Sequence, residues 1–252
     1  MIGLYFSGTG NSKFCVERLV NNVDSNAKII SIEDCNAIYE IIQADCIYIS
    51  YPVQYSNIPK ILFDFINDNS MIWKNKKVFI IATMGLFSGD GSGMLARLLK
   101  YHGAIILGGI HIKMPDSICD EKVLKHSNEV NHLTIQKALT KISETVLRIK
   151  NNKYPQVGLS FGSRCLGLFG QRLYFKSKTK TYSNKLKIND NCIGCGLCAK
   201  NCPMHNIEML NHKAISKQQC TMCYRCINEC PKQAITLLGK KVVQQNKIEN
   251  IL

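Results

Sequence analysis

Through the first 150 residues, apolar runs of strand length alternate with stretches whose apolar positions recur at helical spacing, a pattern that predicts a parallel α/β sheet. Gly3 to Phe6 reads as the first strand and Lys28 to Ile32 as the second. Three further β-branched runs follow at Cys46 to Ser50, Val78 to Thr83 and Ala104 to Ile112. Helical patterns lie between them at Asn11 to Val23, Ile58 to Ile66 and Gly93 to Tyr101. Leu124, Val130, Leu133, Ile135, Leu139, Ile142 and Val146 then predict one long closing helix over Leu124 to Ile149. Residues 1–150 are thus expected to form a doubly wound, parallel five-stranded sheet.

The periodicity fails from 151 to 186, where glycines at 158, 162, 167 and 170 precede a lysine-rich run. Leu166, Leu168, Phe169, Leu173, Tyr174 and Phe175 make this basic connector too apolar for a free tether, so part of it is expected to pack on a domain. A helix lying on a membrane surface is the alternative, and the four glycines count against it.

An internal repeat begins beyond residue 187. Cys192, Cys195, Cys198 and Cys202 with Pro203 are followed 28 residues later by Cys220, Cys223, Cys226 and Cys230 with Pro231, each run spaced C-x2-C-x2-C-x3-C-P. Three thiolates at i, i+3 and i+6 suit the soft irons of one cubane as the chain curls around it, and the fourth ligand must come from elsewhere. Structural zinc also takes four cysteines but usually presents two separated C-x2-C pairs. The spacing resembles bacterial two-cluster ferredoxins over residues 187–238. That resemblance implies two [4Fe–4S] clusters in a small α+β domain, residues 187–240, followed by a C-terminal tail, 241–252. It also implies crossed ligation: Cys192, Cys195, Cys198 and Cys230 on one cluster, and Cys220, Cys223, Cys226 and Cys202 on the other. The remaining cysteines, Cys15, Cys35, Cys46, Cys119 and Cys165, are read as small hydrophobes without a chemical role.

Directly after the first predicted strand comes Ser7-Gly8-Thr9-Gly10-Asn11-Ser12, leading into a helix. Small and hydroxylated residues there let N–H groups and hydroxyls surround a phosphate at the positive helix end. The loop lacks the lysine of a P-loop NTPase and the G-x-G-x-x-G of a dinucleotide fold. It resembles the phosphate loop of flavodoxins, which implies a flavodoxin-like domain binding FMN through Ser7, Thr9, Gly10, Asn11 and Ser12. In that family the loops after the third and fourth strands hold the flavin ring. The resemblance carries over to Pro52, Val53 and Tyr55 in one loop and to Thr83, Met84, Gly85 and Phe87 in the other, with Tyr51, Tyr55 and Phe87 as stacking candidates. Gln54 interrupts the aromatic character of the first of these loops.

The order of the parts resembles the EFR1 ferredoxins, flavodoxin–ferredoxin fusions found in anaerobes. It implies an electron-transfer protein that passes electrons between FMN, the two clusters and a redox partner. A flavin enzyme reducing a small substrate, and a cofactor-free assembly protein, are the rival classes. The formal charge of +14 falls to about +8 once two cluster sites and a flavin phosphate are added. With no aromatic-interleaved RNA motif, the charge points to an acidic redox partner and not to nucleic acid. The 252 residues carry no signal-like start and no apolar run of membrane-spanning length, so a cytoplasmic location is expected and membrane contact is not.

Overall fold

The computed structural model describes residues 1–54, 57–167 and 182–252. Five parallel strands, β1 (Ile2–Tyr5), β2 (Lys28–Ser31), β3 (Cys46–Pro52), β4 (Lys77–Met84) and β5 (Ile105–Lys113), form one sheet in the order β2-β1-β3-β4-β5. This is the flavodoxin-like doubly wound arrangement, in which the order reverses between β1 and β3. Along β4 the side chains alternate between two cores. Val78, Ile80 and Ala82 face one, and Phe79 and Ile81 the other. Parallel strands buried on both faces must be apolar throughout, which is why these runs lack a polar side.

Helices α2 (Ala37–Gln43), α3 (Lys60–Asp68) and α4 (Gly91–Tyr101) cover the first core with Ile41, Leu62, Ile66, Leu95 and Leu99. Helices α1 (Asn11–Val23) and α5 (Asn128–Lys150) close the second with Phe14, Leu19, Val20, Ile135, Ile142 and Val146. Ser127 caps α5 by accepting from the Val130 N–H. The start of the connector is ordered against the sheet edge: Gly109 N–H donates to Pro155 O (2.8 Å) and Val157 N–H to Gly109 O (2.9 Å), and a short helix α6 (Phe161–Gly167) follows. Most of the connector's apolar stretch lies outside the described residues. No helix among the described residues is long and apolar enough to cross a membrane.

The cysteine-rich module is built from β6 (Lys187–Ile188), α7 (Leu197–Lys200), β7 (Ile207–Leu210), β8 (Lys213–Ser216), α8 (Arg225–Glu229) and β9 (Ile235–Thr236). Strands β6 and β9 pair antiparallel, as do β7 and β8. Its core takes Leu186, Ile207, Ala214, Tyr224, Ile227, Ile235 and Leu237, and also Cys119 from the segment after β5.

That segment joins the two domains. Asp120, 4% exposed, accepts the Tyr224 hydroxyl (3.0 Å) and the N–H groups of Leu237 (2.6 Å) and Leu238 (2.9 Å). Arg225 spans the junction from the other side, bidentate to Glu33 (2.6 and 2.7 Å) and donating to Ser7 O (2.8 Å) and Asn201 O (3.1 Å). Bidentate pairs fix orientation as well as distance. Between these anchors the backbones touch: a Cβ on Gly8 would lie 1.9 Å from the carbonyl oxygen of Cys223. The tail returns to the first domain, where Ile248 and Ile251 are buried in the α1–α5 core and the Ile248 N–H donates to Thr9 O (3.1 Å).

Two substitutions test this docking. Asp120→Ala strands two buried N–H groups and a phenol, and should lower stability by at least about 3 kcal/mol in anaerobic denaturation followed by cluster absorbance; a loss under 1 kcal/mol would contradict the anchor. Gly8→Ala forces the Cys223 backbone outward at a cost of about 1–3 kcal/mol. Hydrogen exchange should accelerate at residues 220–225 while the far end of strand β4, Lys77 to Ile80, is unchanged, and equal exchange in both proteins would argue against the contact.

Candidate functional site

The carboxyl ends of the strands frame a pocket of about 230 Å³. Its walls include Ser7, Thr9, Asn11 and Ser12 from the β1–α1 loop, Pro52 and Val53 after β3, and Thr83, Met84, Gly85 and Phe87 at the end of β4 and in the loop beyond. This is the crevice that an open α/β sheet makes where its strand order reverses. Gly10 closes the loop behind the pocket at φ 91°, a left-handed conformation that leaves the start of α1 without a side-chain cap. The uncapped first turn of this thirteen-residue helix directs its N–H groups toward the loop, as a phosphate site requires. Ser12 and Thr83 share a buried hydroxyl–hydroxyl hydrogen bond of 2.8 Å, and Asn11 Nδ2 donates to Pro115 O (2.8 Å). These bonds tie the phosphate loop to the ring-side loops.

Phe87 lines the pocket and is 56% exposed, a free aromatic face at its rim. Tyr51 is placed otherwise. Strand β3 runs on to Pro52, and Tyr51 falls in phase with Ile47 and Ile49, so its ring is buried in the α3–α4 core and its hydroxyl bonds the Gly91 carbonyl. Tyr55 lies outside the described residues.

Sequence reasoning left part of the pocket unassigned. Met114, Pro115, Asp116, Ser117 and Ile118 supply one wall from the loop after β5. The strand-order rule points to that loop too, since it opens at the same sheet edge. Asp116 Oδ2 crowds Gly85 so closely that a Cβ there would sit 2.2 Å away. Burial pushes the Asp116 carboxyl above the usual range, against the N–H of Ile118 and nearby Lys125. Gln54, the polar departure in the β3 loop, donates from Nε2 to Met222 O (3.1 Å). Met222, Cys223 and Tyr224 of the cysteine-rich module complete the pocket.

The eight clustered cysteines divide between two smaller cavities. One is lined by Cys192, Cys195, Cys198 and Cys230 with Pro231, the other by Cys202, Cys220, Cys223 and Cys226 with Pro203. Each cavity takes three cysteines from one run and the proline-marked cysteine of the other. A zinc ion needs four sulfurs about 2.3 Å from one point. No group of three or more Cys, His, Asp or Glu among the described residues converges to hold a single ion; the four thiols of each set instead line one cavity. Backbone N–H groups point at the sulfurs: Asn206 to Cys202, Met222 to Cys220 and Ala234 to Cys230, each at 3.3 Å. Burial pushes the Cys220 thiol up to about 11 and the Cys223 thiol to about 12. Thiolates in so apolar a place require metal cations beside them. The cavity around Cys195 is the open one, since Cys195 itself is exposed and Ile193 beside it is 59% exposed.

Comparison with known proteins agrees with both halves. The flavodoxin domain family model matches residues 2–101, and the 4Fe-4S dicluster domain model matches residues 191–234. Among solved structures, the two-electron reduced flavodoxin of Megasphaera elsdenii is 24% identical, with 46% of this chain and 89% of that one covered and a TM-score of 0.41. Fusobacterium nucleatum flavodoxin bound to flavin mononucleotide is 16% identical, covering 60% of this chain and 96% of that one, TM-score 0.43. A flavodoxin from the domain Archaea is 20% identical over 56% of this chain and 97% of its own, TM-score 0.39. No curated protein matches the sequence. The chain therefore joins a flavodoxin domain, which implies FMN, to a 4Fe-4S dicluster domain, which implies [4Fe–4S] clusters.

Proposed function

We propose that this protein transfers electrons internally between FMN and the cluster next to it, and through the other cluster to or from an acidic redox partner. One observation carries the reading: Cys223 belongs at once to the wall of the flavin-type pocket and to the cavity it shares with Cys202, Cys220 and Cys226. The flavin supplies conversion between two-electron and one-electron steps, and each cluster supplies one-electron storage.

The chain's own residues set the order of the path. Ser7, Thr9, Asn11 and Ser12 hold the phosphate end, with Gly10 shaping the loop, while Pro52, Val53, Thr83, Met84, Gly85 and Phe87 enclose the ring. Cys220, Cys223, Cys226 and Cys202 hold the inner cluster, and Cys192, Cys195, Cys198 and Cys230 the outer. Helices α7 and α8 pack together, and the Cys198 sulfur acts electrostatically on Cys226, which brings the two quartets into one short sequence of sites. The outer quartet is the port. Around exposed Cys195 stand Ile193, Leu197 and Met209, with Lys232 on the same cavity rim and exposed Lys200 ending α7. An apolar centre with free lysines fits a partner whose docking face carries carboxylates.

Cluster ownership is tested by paired substitutions. Cys202→Ala should remove the cluster magnetically coupled to the flavin, although Cys202 belongs to the first run, and Cys230→Ala should remove the other. The opposite assignment by electron paramagnetic resonance would refute the crossing.

The internal path is tested by rapid mixing under anaerobic conditions, with a small donor reducing the clusters while flavin absorbance is followed. Because Asp120 and Arg225 hold the domains together, the flavin reduction rate should not change over a tenfold range of protein concentration. A rate proportional to concentration would mean transfer between molecules.

A further inference from the structure

Four buried side-chain atoms lack a hydrogen-bond partner among the described residues: Ser50 Oγ, Trp73 Nε1, Ser88 Oγ and Thr221 Oγ1. Of these residues, Thr221 lines a cysteine cavity, the one formed by Cys202, Cys220, Cys223 and Cys226. Thr221 is 4% exposed, directly follows Cys220 and directly precedes Met222, which lines the flavin-type pocket. A buried hydroxyl with no acceptor costs on the order of 1–3 kcal/mol, which is retained where a ligand supplies the missing partner. The lone pairs of cluster sulfur are acceptors of that kind.

We propose that the Thr221 hydroxyl donates a hydrogen bond to a sulfur of the inner cluster and holds that cluster's reduction potential above the value its burial alone would set. The proposal rests on the assignment of Cys202, Cys220, Cys223 and Cys226 to that cluster. Reduction adds one electron, and hence one negative charge, to a group already anionic. A buried site opposes the added charge because little solvent reorganises around it. A fixed donor stabilises the more negative form by more than the less negative form, and so shifts the potential upward.

The repeat supplies an internal control. The residue equivalent to Thr221 in the first run is Ile193, which has no donor and stands 59% exposed beside Cys195. The outer cluster is therefore tuned by solvent access, and the inner one by a hydroxyl that replaces the solvent it lacks. The two potentials are brought closer than burial would leave them, and electrons are not stranded on the outer cluster.

The test uses the full chain with clusters and FMN in place, titrated electrochemically and followed by electron paramagnetic resonance. Thr221→Val keeps the side-chain shape and removes the donor. It should lower the inner cluster's potential relative to the outer one, shifting the electron distribution between them by about tenfold, or 59 mV for a one-electron couple. Thr221→Ser should restore the wild-type value, which a packing role for the threonine methyl would not do. In unmodified protein, hyperfine spectra in H2O and D2O should show, besides the backbone N–H protons of Asn206 and Met222, one further exchangeable proton at the inner cluster that Thr221→Ser keeps. Its absence refutes the proposal even if Thr221→Val does not take up clusters. Unchanged potentials in Thr221→Val, with full iron and sulfide content, refute the hydroxyl's role while leaving the ligand assignment intact. A shift confined to the outer cluster refutes the ligand assignment and the proposal with it.

Discussion

The contact between the Cys223 carbonyl and the Cα of Gly8 sets the geometry of everything else in this protein. Two backbones can approach this closely only where one residue has no side chain. The approach makes a single stretch, Met222 to Tyr224, serve as pocket wall on one side and cysteine cavity on the other. Asp120 and Arg225 do not create that proximity; they hold it, one by satisfying three donors from the cysteine-rich module and the other by bridging Glu33, Ser7 and Asn201. A flavodoxin standing alone would meet solvent at this face of its loop. Here Met222, Cys223 and Tyr224 of the opposite domain cover the face and enter the lining of the flavin-type pocket.

The sheet was legible because its strands are apolar on both faces and its phosphate loop is local: Ser7 to Ser12 has meaning only for the turn and helix it begins. The cysteine spacing was legible for the same reason. Helix α2 escaped because its seven residues bury only Ala37 and Ile41, too few to establish a period. Tyr51 was read as a loop aromatic because the third strand was ended at Ser50; extending the alternation from Ile47 and Ile49 places it in the core. The wall from Met114 to Ile118 has no motif, only a position at the sheet edge. The docking was the least legible part. Beside the Glu33 carboxylate and the Tyr224 hydroxyl, the partners of Asp120, Arg225 and Gln54 across it are backbone groups of Ser7, Met222, Leu237 and Leu238, and a main-chain atom leaves no mark in a sequence.

The two halves of the repeat are near copies in sequence and opposites in environment. One quartet lies open at Cys195, and the other is enclosed by Tyr224, Ile227 and Leu237, with Gly8 of the first domain against Cys223. Burial separates what duplication made alike. It leaves the inner cavity sharing Cys223 with the flavin-type pocket and the outer one open to solvent at Cys195.

The return of Ile248 to the phosphate loop has a consequence for biosynthesis. The N-terminal domain emerges first from the ribosome, yet the loop that leads into its first helix is braced by a residue translated more than two hundred positions later. At about 5–20 residues per second, the loop waits on the order of ten seconds or more for that support. Each cysteine quartet waits too, because one is complete only at Cys226 and the other only at Cys230. Completion of both sites is thereby deferred until the cysteine-rich module and Ile248 have been made, and a nascent fragment containing only the sheet would lack both the brace on its loop and the wall that encloses its pocket.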